Sequence, residues 1–484
     1  MLEAVIRALA PSEVARGEAT GGQPVEVGDL AYDTRSVSSG ALFFCVSGEK
    51  VDGHELAWEA IERGAVALVV ERELDVRVPQ LVVSDSRSAM AIAADAFFGE
   101  PTKELEVVGV TGTNGKTTTA FLLRSMLEAA GRQAGLIGTV EWRVGGERRP
   151  APFTTPEAID LQRLFREMLT AGDRSVALEA SSHGAAHRRL DRVRFDALVF
   201  TNLSQDHLDL HGTMEEYFLA KKSLFAGAQP PPAAVNVDGT WGQHLAESLA
   251  DAHRAPLVTF GLEDGAEIRA EGLELSPSGS RFRAAGMEIE TSLPGIFNVS
   301  NALGAVAAGF LLDLDEEGIR SGIAGVESVP GRFERVDEGQ PFTVLVDYAH
   351  TPDSLETVLL AARDLAEGRV LVVFGAGGDR DRSKRPLMGK VAAAHADVAI
   401  VTSDNPRSES PLAIIEDVLQ GAGTSVEIDP DRRSAIARAV GLAEPGDVLV
   451  IAGKGHEQGQ DVGGVVQPFD DRAVARDALA RLRA

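Results

Sequence analysis

The sequence predicts an α/β protein of three successive domains, and two observations carry that reading. Beyond residue 340, four short apolar stretches (Thr343–Val346, Val370–Phe374, Val398–Val401 and Val448–Ile451) alternate with helical ones, and each ends in a polar loop. Strands separated by helices form a parallel sheet, whose ligands bind beyond the strands' carboxyl ends. Upstream, Val107–Thr119 (VVGVTGTNGKTTT) sets a β-branched strand before a small-residue loop and the start of a helix. The predicted boundaries are 1–102 for a small N-terminal α/β domain, 103–329 for a central domain and 330–484 for a C-terminal Rossmann-like domain.

In the first domain Asp33-Thr34-Arg35 precedes a strand at Leu42–Val46, and a helix is expected over Glu55–Arg63. Strands at Ala65–Val70 and Leu81–Val83, then a helix at Ser88–Phe98, complete it. Gly99-Glu100-Pro101 reads as a break, with a linker to Glu106. On composition alone Asp33-Thr34-Arg35 is a polar turn.

The central domain opens with a P-loop, which makes its mostly parallel sheet ATPase-like. Gly112, Thr113, Asn114 and Gly115 let backbone N–H groups close around an anion, and Lys116, Thr117 and Thr118 open the helix. Lys116 supplies a mobile charge for the β- and γ-phosphates, and the Thr117 hydroxyl suits Mg²⁺. The strict form of the motif has a glycine where Val110 stands. Next come Leu136–Val140 and Phe153-Thr154-Thr155-Pro156, whose hydroxyls are a helix N-cap or an anion contact. The strand Val176–Leu178 ends in Glu179, a metal ligand or a solvated strand end. The strand Ala197–Phe200 leads to Asp206, His207, Asp209 and His211, a grouping suited to metal or phosphate. Thr213 and Glu216 form a capping box for a helix from Met214 to Phe225 that carries Lys221 and Lys222. Residues 233–290 read as mixed short strands. Asn298 and Asn301 follow, one helical turn apart, facing a ligand or capping a helix.

In the third domain the strand-end sequences are Asp347-Tyr348-Ala349-His350, GAGGDRDRSKRP (375–386), Ser403-Asp404-Asn405-Pro406-Arg407 and Gly453-Lys454-Gly455-His456-Glu457. Arg380 stands where a dinucleotide fingerprint needs its third glycine, which argues against NAD.

The 484 residues carry a net charge of −26, which argues against nucleic acid and anionic membrane as partners. The single cysteine, Cys45, fits a reducing compartment. The N-terminal stretch lacks a signal-peptide pattern, and Leu303–Leu312 is too short to span a bilayer. A soluble cytoplasmic monomer is expected. Only eight of the 47 basic residues are lysines, so a lysine here marks work that arginine cannot do.

TGTNGKTT, EASSH, DHLDLHG…AK, GxFN…N, PGRFE, DYAHTPDSL, DNPR and GKGHE appear in that order. The set resembles the Mur ligases of bacterial cell-wall synthesis, and more narrowly the members that add the third peptide residue. The N-terminal YDTRSV…GALFF…DGH pattern fits as well, and turns Thr34 from turn residue to expected uridine-nucleotide contact.

The resemblance implies an ATP-dependent ligase of peptidoglycan synthesis, and so of cell shape and division. Its substrates would be UDP-N-acetylmuramoyl-L-Ala-D-Glu and a diamino acid. The D-Glu carboxylate becomes an acyl phosphate, which the amine then attacks. Two Mg²⁺ ions are implied, one on Thr117 and Glu179, the other on Glu179, His207 and a CO₂-derived carbamate of Lys221. Lys116, Glu179, His207 and Lys221 would be the catalytic set. Adenine and ribose would use Asn298, Asn301, Arg332 and Asp347. Thr34, Thr154, Thr155, Ser181 and Arg189 would hold the muramoyl substrate. Phe153 and His187 depart from the Asn and Gln of some relatives, so those two contacts are not carried over.

Arg385, Asp404, Asn405, Pro406, Arg407, Gly453 and Glu457 would read the amino acid. DNPR resembles the members that add meso-diaminopimelate. Arg407 offers a fork for its second carboxylate, and Glu457 suits its distal ammonium. The alternatives are a lysine-adding relative, another muramoyl or folylpolyglutamate ligase, or a P-loop switch or transport ATPase.

Overall fold

The computed structural model describes residues 2–9, 13–15, 26–48, 51–227, 229–252, 254–423 and 426–482. Glu49 and Lys50, inside the N-terminal pattern, lie outside the described residues. The chain divides into two compact units, the first of residues 1–111, 132–198 and 219–232, the second of 112–131, 199–218 and 233–484.

The first unit begins with a five-stranded sheet in the order Glu13–Ala15, Gln80–Val82, Ala65–Val70, Ala41–Phe44, Asp29–Ala31. Only Glu13–Ala15 runs antiparallel to its neighbour. Successive strand side chains point to opposite faces. Leu42 and Phe44 therefore pack with the helix Ser86–Phe97, whereas Phe43 and Cys45 pack with the helix Ala57–Glu62. Burial pushes the Cys45 thiol up to about 12. The same unit holds Glu106–Thr111 paired with Ser175–Glu179, which pairs in turn with Ala134–Ile137, all parallel. An antiparallel hairpin, Glu141–Val144 with Glu147–Pro150, completes this run. The strands Val107–Val110 and Val176–Leu178 read as unbroken apolar runs because parallel strands are covered on both faces.

In the second unit the helix Lys116–Ala129 packs on Ile296–Leu311 and Glu316–Ala324. A methyl at Gly322 would lie 2.3 Å from the Met126 Cα, so these helices touch backbone to backbone. Ala233–Asn236, Leu257–Gly261 and Ile268–Arg269 pair in parallel, and Glu271–Thr291 forms a three-stranded antiparallel sheet. The last sheet has the order Glu334–Arg335, Thr343–Asp347, Val448–Ala452, Val370–Phe374, Val398–Val401, Glu427–Ile428. It is parallel apart from its first pair and carries a separate apolar core on each face. Arg432 and Asp471, both enclosed, pair at 2.7 Å beneath one face.

Several local expectations change. The helix after Thr154-Thr155-Pro156 starts at Ala158, with Glu157 at its cap position and no side-chain cap, so these threonines are not N-caps. The Pro101–Glu106 linker is a 3₁₀ turn, Pro101–Lys103, running straight into a strand that starts at Glu106. The span from 233 to 290 contains a helix, Thr240–Ala252, as well as strands. Thr213 accepts from the Glu216 N–H at 3.2 Å, and the helix over Met214–Lys222 ends in a 3₁₀ turn, Ser223–Phe225. Among the described residues no helix is long and apolar enough to cross a membrane.

Candidate active site

The phosphate loop of the second unit is shaped by two glycines. Gly112 has φ +146°, and a Cβ there would lie 1.9 Å from the Thr201 hydroxyl. Gly115 has φ +86°, and a Cβ there would lie 2.3 Å from Asn301 Oδ1. No side chain fits either place. The loop is pinned by Asn202, which accepts from Thr113 N (3.0 Å, on its carbonyl) and Asn114 N (2.9 Å, on its side chain). Thr201 Oγ1 donates to the Asn114 carbonyl at 2.6 Å. Lys116 folds over the loop and donates to the carbonyls of Gly112 (3.0 Å) and Thr113 (2.7 Å). Thr117 and Thr118 are buried.

Asn301 donates to Asn298 Oδ1 at 3.0 Å, and Asn298 donates to the Pro294 carbonyl at 2.8 Å. The cap position of their helix is Gly295, with no side-chain cap, so neither asparagine serves as a cap. The Arg332 guanidinium lies over the Tyr348 ring at 4.6 Å. Asp347 accepts from the N–H groups of Phe333 (2.6 Å) and Ala349 (2.7 Å). Burial raises its carboxyl above the ordinary range, against the pull of Arg332.

The acid- and histidine-rich loop separates by role. His207 stands at φ 53°, its N–H donating to Asp206 at 2.9 Å. Burial opposes ionisation of Asp206, but His207 and His350 outweigh it and hold the carboxyl below its usual value. His211 is buried and stacked on Tyr217 at 4.9 Å, while Asp209 is exposed. Among the described residues no group of three or more His, Cys, Asp or Glu is arranged to hold a metal.

In the first unit Glu179 is buried at its strand end. Its carboxylate accepts from Thr139 N at 2.8 Å and Thr139 Oγ1 at 3.0 Å. A methyl at Gly138 would fall 2.3 Å from Glu179 Oε1. Thr139 Oγ1 meets Thr154 Oγ1 at 3.0 Å, and Thr155 Oγ1 donates to the Glu179 carbonyl at 2.7 Å. Ser181 accepts from Thr155 Oγ1 at 2.9 Å and caps the helix Ser182–Ala186 through Gly184 N. Arg189 donates to the Thr155 carbonyl at 2.9 Å and pairs with Glu157 at 2.7 Å. Thr154, Thr155 and Ser181 thus gather around Glu179, and Arg189 joins them through the Thr155 carbonyl. Thr34 lies instead in the 3₁₀ turn Thr34–Ser36, where Asp33 and Arg35 close on each other. Lys221 is buried to 1% exposure, and Lys222 beside it is less enclosed.

At the third-domain strand ends Lys454, fully enclosed, donates to Asn405 Oδ1 at 2.9 Å and to Glu457 Oε2 at 3.0 Å. Asn405 Nδ2 donates to that same Glu457 oxygen at 2.8 Å. Gly453, at φ +120°, leaves a Cβ no room beside Asp404 Oδ2, 2.4 Å away. Arg407 is half-buried at φ 51°, with Nη1 donating to the Gly378 carbonyl at 2.6 Å. Pro406 closes against the neighbouring loop, its carbonyl 1.9 Å from where a Gly378 Cβ would stand. Arg385, also expected to read the amino acid, lies enclosed behind this loop. It is 0% exposed, with Nη2 on Glu409 at 2.7 Å and Nη1 on Asp417 at 2.9 Å. A guanidinium so engaged supports the loop from behind.

Three domain models match consecutive parts of the chain: Mur ligase family, catalytic domain, at 26–113; Mur ligase middle domain at 110–309; and Mur ligase, glutamate ligase domain, at 331–455. A Geobacillus thermodenitrificans protein, UDP-N-acetylmuramoyl-L-alanyl-D-glutamate–2,6-diaminopimelate ligase, is 50% identical over 478 residues, 96% of each chain. The chain belongs to the Mur ligase family. The Solibacter usitatus protein bearing the same name as the Geobacillus one is 47% identical over 485 residues, 98% of this chain and 96% of its own. A solved structure of a 2,6-diaminopimelate ligase of that name aligns with TM-score 0.69 at 32% identity, covering 97% of this chain and 98% of its own. A MurF ligase from Thermotoga maritima, solved with ADP, shares the fold at TM-score 0.63 and 20% identity, covering 95% and 97%. The Mur ligase fold has three domains with mostly parallel sheets, as the sheets described here do.

Two residues that hold expected site residues of this Mur ligase, one in each unit, escaped the sequence reading. Thr139 holds Glu179 through two hydrogen bonds, and its only local signal is a Gly-Thr pair just past a strand. Asp353, in the first turn of the helix Pro352–Leu365, accepts from Ser204 Oγ at 2.7 Å. Its Pro-Asp-Ser setting reads as a helix start, and within the DYAHTPDSL motif it drew no role of its own.

Proposed function

We propose that this chain joins meso-diaminopimelate to UDP-N-acetylmuramoyl-L-alanyl-D-glutamate at the expense of ATP, in the cytoplasmic synthesis of peptidoglycan precursors. The observation that carries the reading is 50% identity, over 96% of both chains, to a ligase named for that reaction. In this reading the domains divide near 102 and 329, and the chain acts as a monomer.

A carboxylate is a poor electrophile. Transfer of the γ-phosphoryl group to the D-Glu side-chain carboxylate gives an acyl phosphate and ADP. The diaminopimelate amine then attacks the acyl carbon, the amide forms, and phosphate leaves with the C–O bond. The first step brings two anions together, so positive charge must be supplied. Lys116 and the backbone N–H groups of Gly112–Thr118 supply it on the protein side. Asn298, Asn301, Arg332 and Asp347 frame the adenosine end. Thr34, Thr154, Thr155, Ser181 and Arg189 orient the muramoyl substrate.

Mg²⁺ suits the residues present. It binds through one or two carboxylates and substrate phosphates rather than an all-protein cage. Glu179 and Thr117, both buried, supply a carboxylate and a hydroxyl of the kind it uses. Thr117 and Glu179 would hold one ion, and Glu179, His207 and Lys221 as a carbamate the second. Bound there, the ions neutralise phosphate and carboxylate charge. Enclosure of Lys221 fits a role other than surface charge, and an arginine there could not form a carbamate.

Arg407, Asn405, Gly453 and Glu457, with Asp404 and Pro406 shaping the loop, read the diamino acid. Arg385 joins that set from behind the loop, its guanidinium oriented by Glu409 and Asp417. The test is phosphate release with ATP, Mg²⁺ and the muramoyl dipeptide, adding meso-diaminopimelate or L-lysine in parallel. Release with diaminopimelate alone is expected. Preference for lysine, or release with neither, overturns the substrate assignment.

A further inference from the structure

We infer that the hairpin Gly459–Val462 with Val465–Pro468 is a positioning element for amino-acid selection, fixing the backbone at Arg407 so that its guanidinium faces the second carboxylate of the substrate. The inference rests on the proposed reading of Arg407.

Arg407 occupies the left-handed region, at φ 51°. A side chain with a Cβ holds that conformation only where its surroundings over-determine it, and such residues cluster at functional sites. Here the surroundings are the hairpin. Arg407 N donates to the Asp461 carbonyl at 3.0 Å, and the Arg407 carbonyl accepts from Gly463 N at 2.8 Å. The pairing is an isolated bridge between Arg407 and Val462, outside any sheet of the domain. The hairpin also reaches the two residues at the head of the same loop. Gln460 Nε2 donates to the Asp404 carbonyl at 2.7 Å, and Asp461 N donates to Asn405 Oδ1 at 3.0 Å. Asn405 Oδ1 is the oxygen that also accepts from Lys454, so the hairpin shares in orienting the Asn405–Glu457 pair.

On the other side, Gly378 N donates to the Asn405 carbonyl at 2.9 Å, and Gly378 itself has no room for a Cβ against the Pro406 carbonyl. The DNPR loop is therefore clamped between a fixed wall and the hairpin. The hairpin gives nothing to the apolar cores of the domain. Val462, Val465 and Val466 are 40%, 62% and 67% exposed, and no residue of 459–468 belongs to either core. Its described contacts go to the loop that reads the substrate, so its role is placement.

A bidentate guanidinium–carboxylate contact depends on orientation far more than a point charge does. Loosening the hairpin should therefore weaken diaminopimelate selection while leaving nucleotide binding alone. The experiment compares Gln460→Ala and Gly463→Ala with the parent chain, measuring KM for diaminopimelate, for ATP and for the muramoyl dipeptide. Relative kcat/KM for diaminopimelate and lysine is measured alongside. Gly463 stands at φ +63°, so its variant strains the turn, whereas Gln460→Ala keeps the turn intact. The expected result is a KM for diaminopimelate raised at least about tenfold, with KM for ATP unchanged and discrimination against lysine reduced. Adding Gln460→Ala to Arg407→Ala should then change nothing further, because the group being positioned is gone. An unchanged diaminopimelate KM in Gln460→Ala, or additive losses in the double variant, overturns the inference while the Arg407 reading stands. Full diaminopimelate use by Arg407→Ala overturns both.

Discussion

Asn114 of the phosphate loop donates its side-chain amide to the Asp353 carboxylate at 3.1 Å, and Asp353 leads the first helix after the third domain's opening strand. Ser204 donates to the same carboxylate oxygen at 2.7 Å. One carboxylate thus restrains both the loop expected to hold phosphate and the neighbouring strand-end loop. A hydrogen bond to a charged group contributes about 1.5–3 kcal/mol, so Asp353→Ala should raise KM for ATP about tenfold. KM for the diamino acid should stay near the parent value. Phosphate-release kinetics at varied ATP measure this, and an unaltered ATP KM would remove the role given to Asp353.

Gly138→Ala tests the setting of Glu179 without replacing the carboxylate. The added methyl would fall 2.3 Å from Oε1, on the atom that accepts from Thr139 N. The side chain must swing away, and displacement of a group on this scale costs about 100-fold in turnover. A variant that melts like the parent but turns over at the parent rate would count against Glu179 as a reacting-site residue.

Lys221→Ala should abolish ligation, and short carboxylates such as acetate should restore part of it by standing in for the carbamate. The enclosure of Lys221 leaves a small cavity for such an anion once the side chain is cut back. Activity that survives the substitution, or that no carboxylate restores, would dispose of the carbamate.

Glu409 gives a pH signature. Arg385 beside it is the main reason its carboxyl lies at about 2 rather than 4.5. A carboxyl depressed in the folded chain binds fewer protons there than in the unfolded chain. Its stabilising contribution is therefore complete above pH 4.5 and is lost as pH falls from 4.5 towards 2. Glu409→Gln should cost about 1–2 kcal/mol at neutral pH, since the enclosed Arg385 keeps Asp417 and the Gly377 carbonyl. Calorimetric melts across that range should show the difference from the parent chain shrinking as acid is added. A difference that grows with acid would reverse the sign argued here.

The residues explain why some of this was legible in sequence and some was not. The strands around Val344, Val372, Ile400 and Val450 announce themselves because a doubly covered parallel strand is an unbroken apolar run. Glycine, lysine and threonine at 115–117 are legible for a similar reason, since local chemistry demands each. The helix Thr240–Ala252 was hidden because Gly242 interrupts its apolar spacing, and Gly242 is there for close approach to the Asn236 carbonyl, 1.8 Å from its would-be Cβ. The ion pairs of Arg385 were not legible because its partners are 24 and 32 residues away, on separate elements. Thr155 was left open between a cap and an anion contact for the same reason, its hydroxyl partner lying 24 residues on at Glu179. Contacts set by topology leave no trace in local spacing.

The enclosure of Cys45 makes the chain a clean substrate for site-directed probes. It is the sole cysteine, it is 0% exposed, and its thiol stays protonated at neutral pH. Maleimide chemistry needs the thiolate, so the native chain should remain dark to such reagents. A single cysteine introduced at Val466, on the outer face of the hairpin, would then carry the only fluorophore or spin label in the molecule. The spectrum would report on the hairpin without background and without disturbing the arginines and lysines of the site.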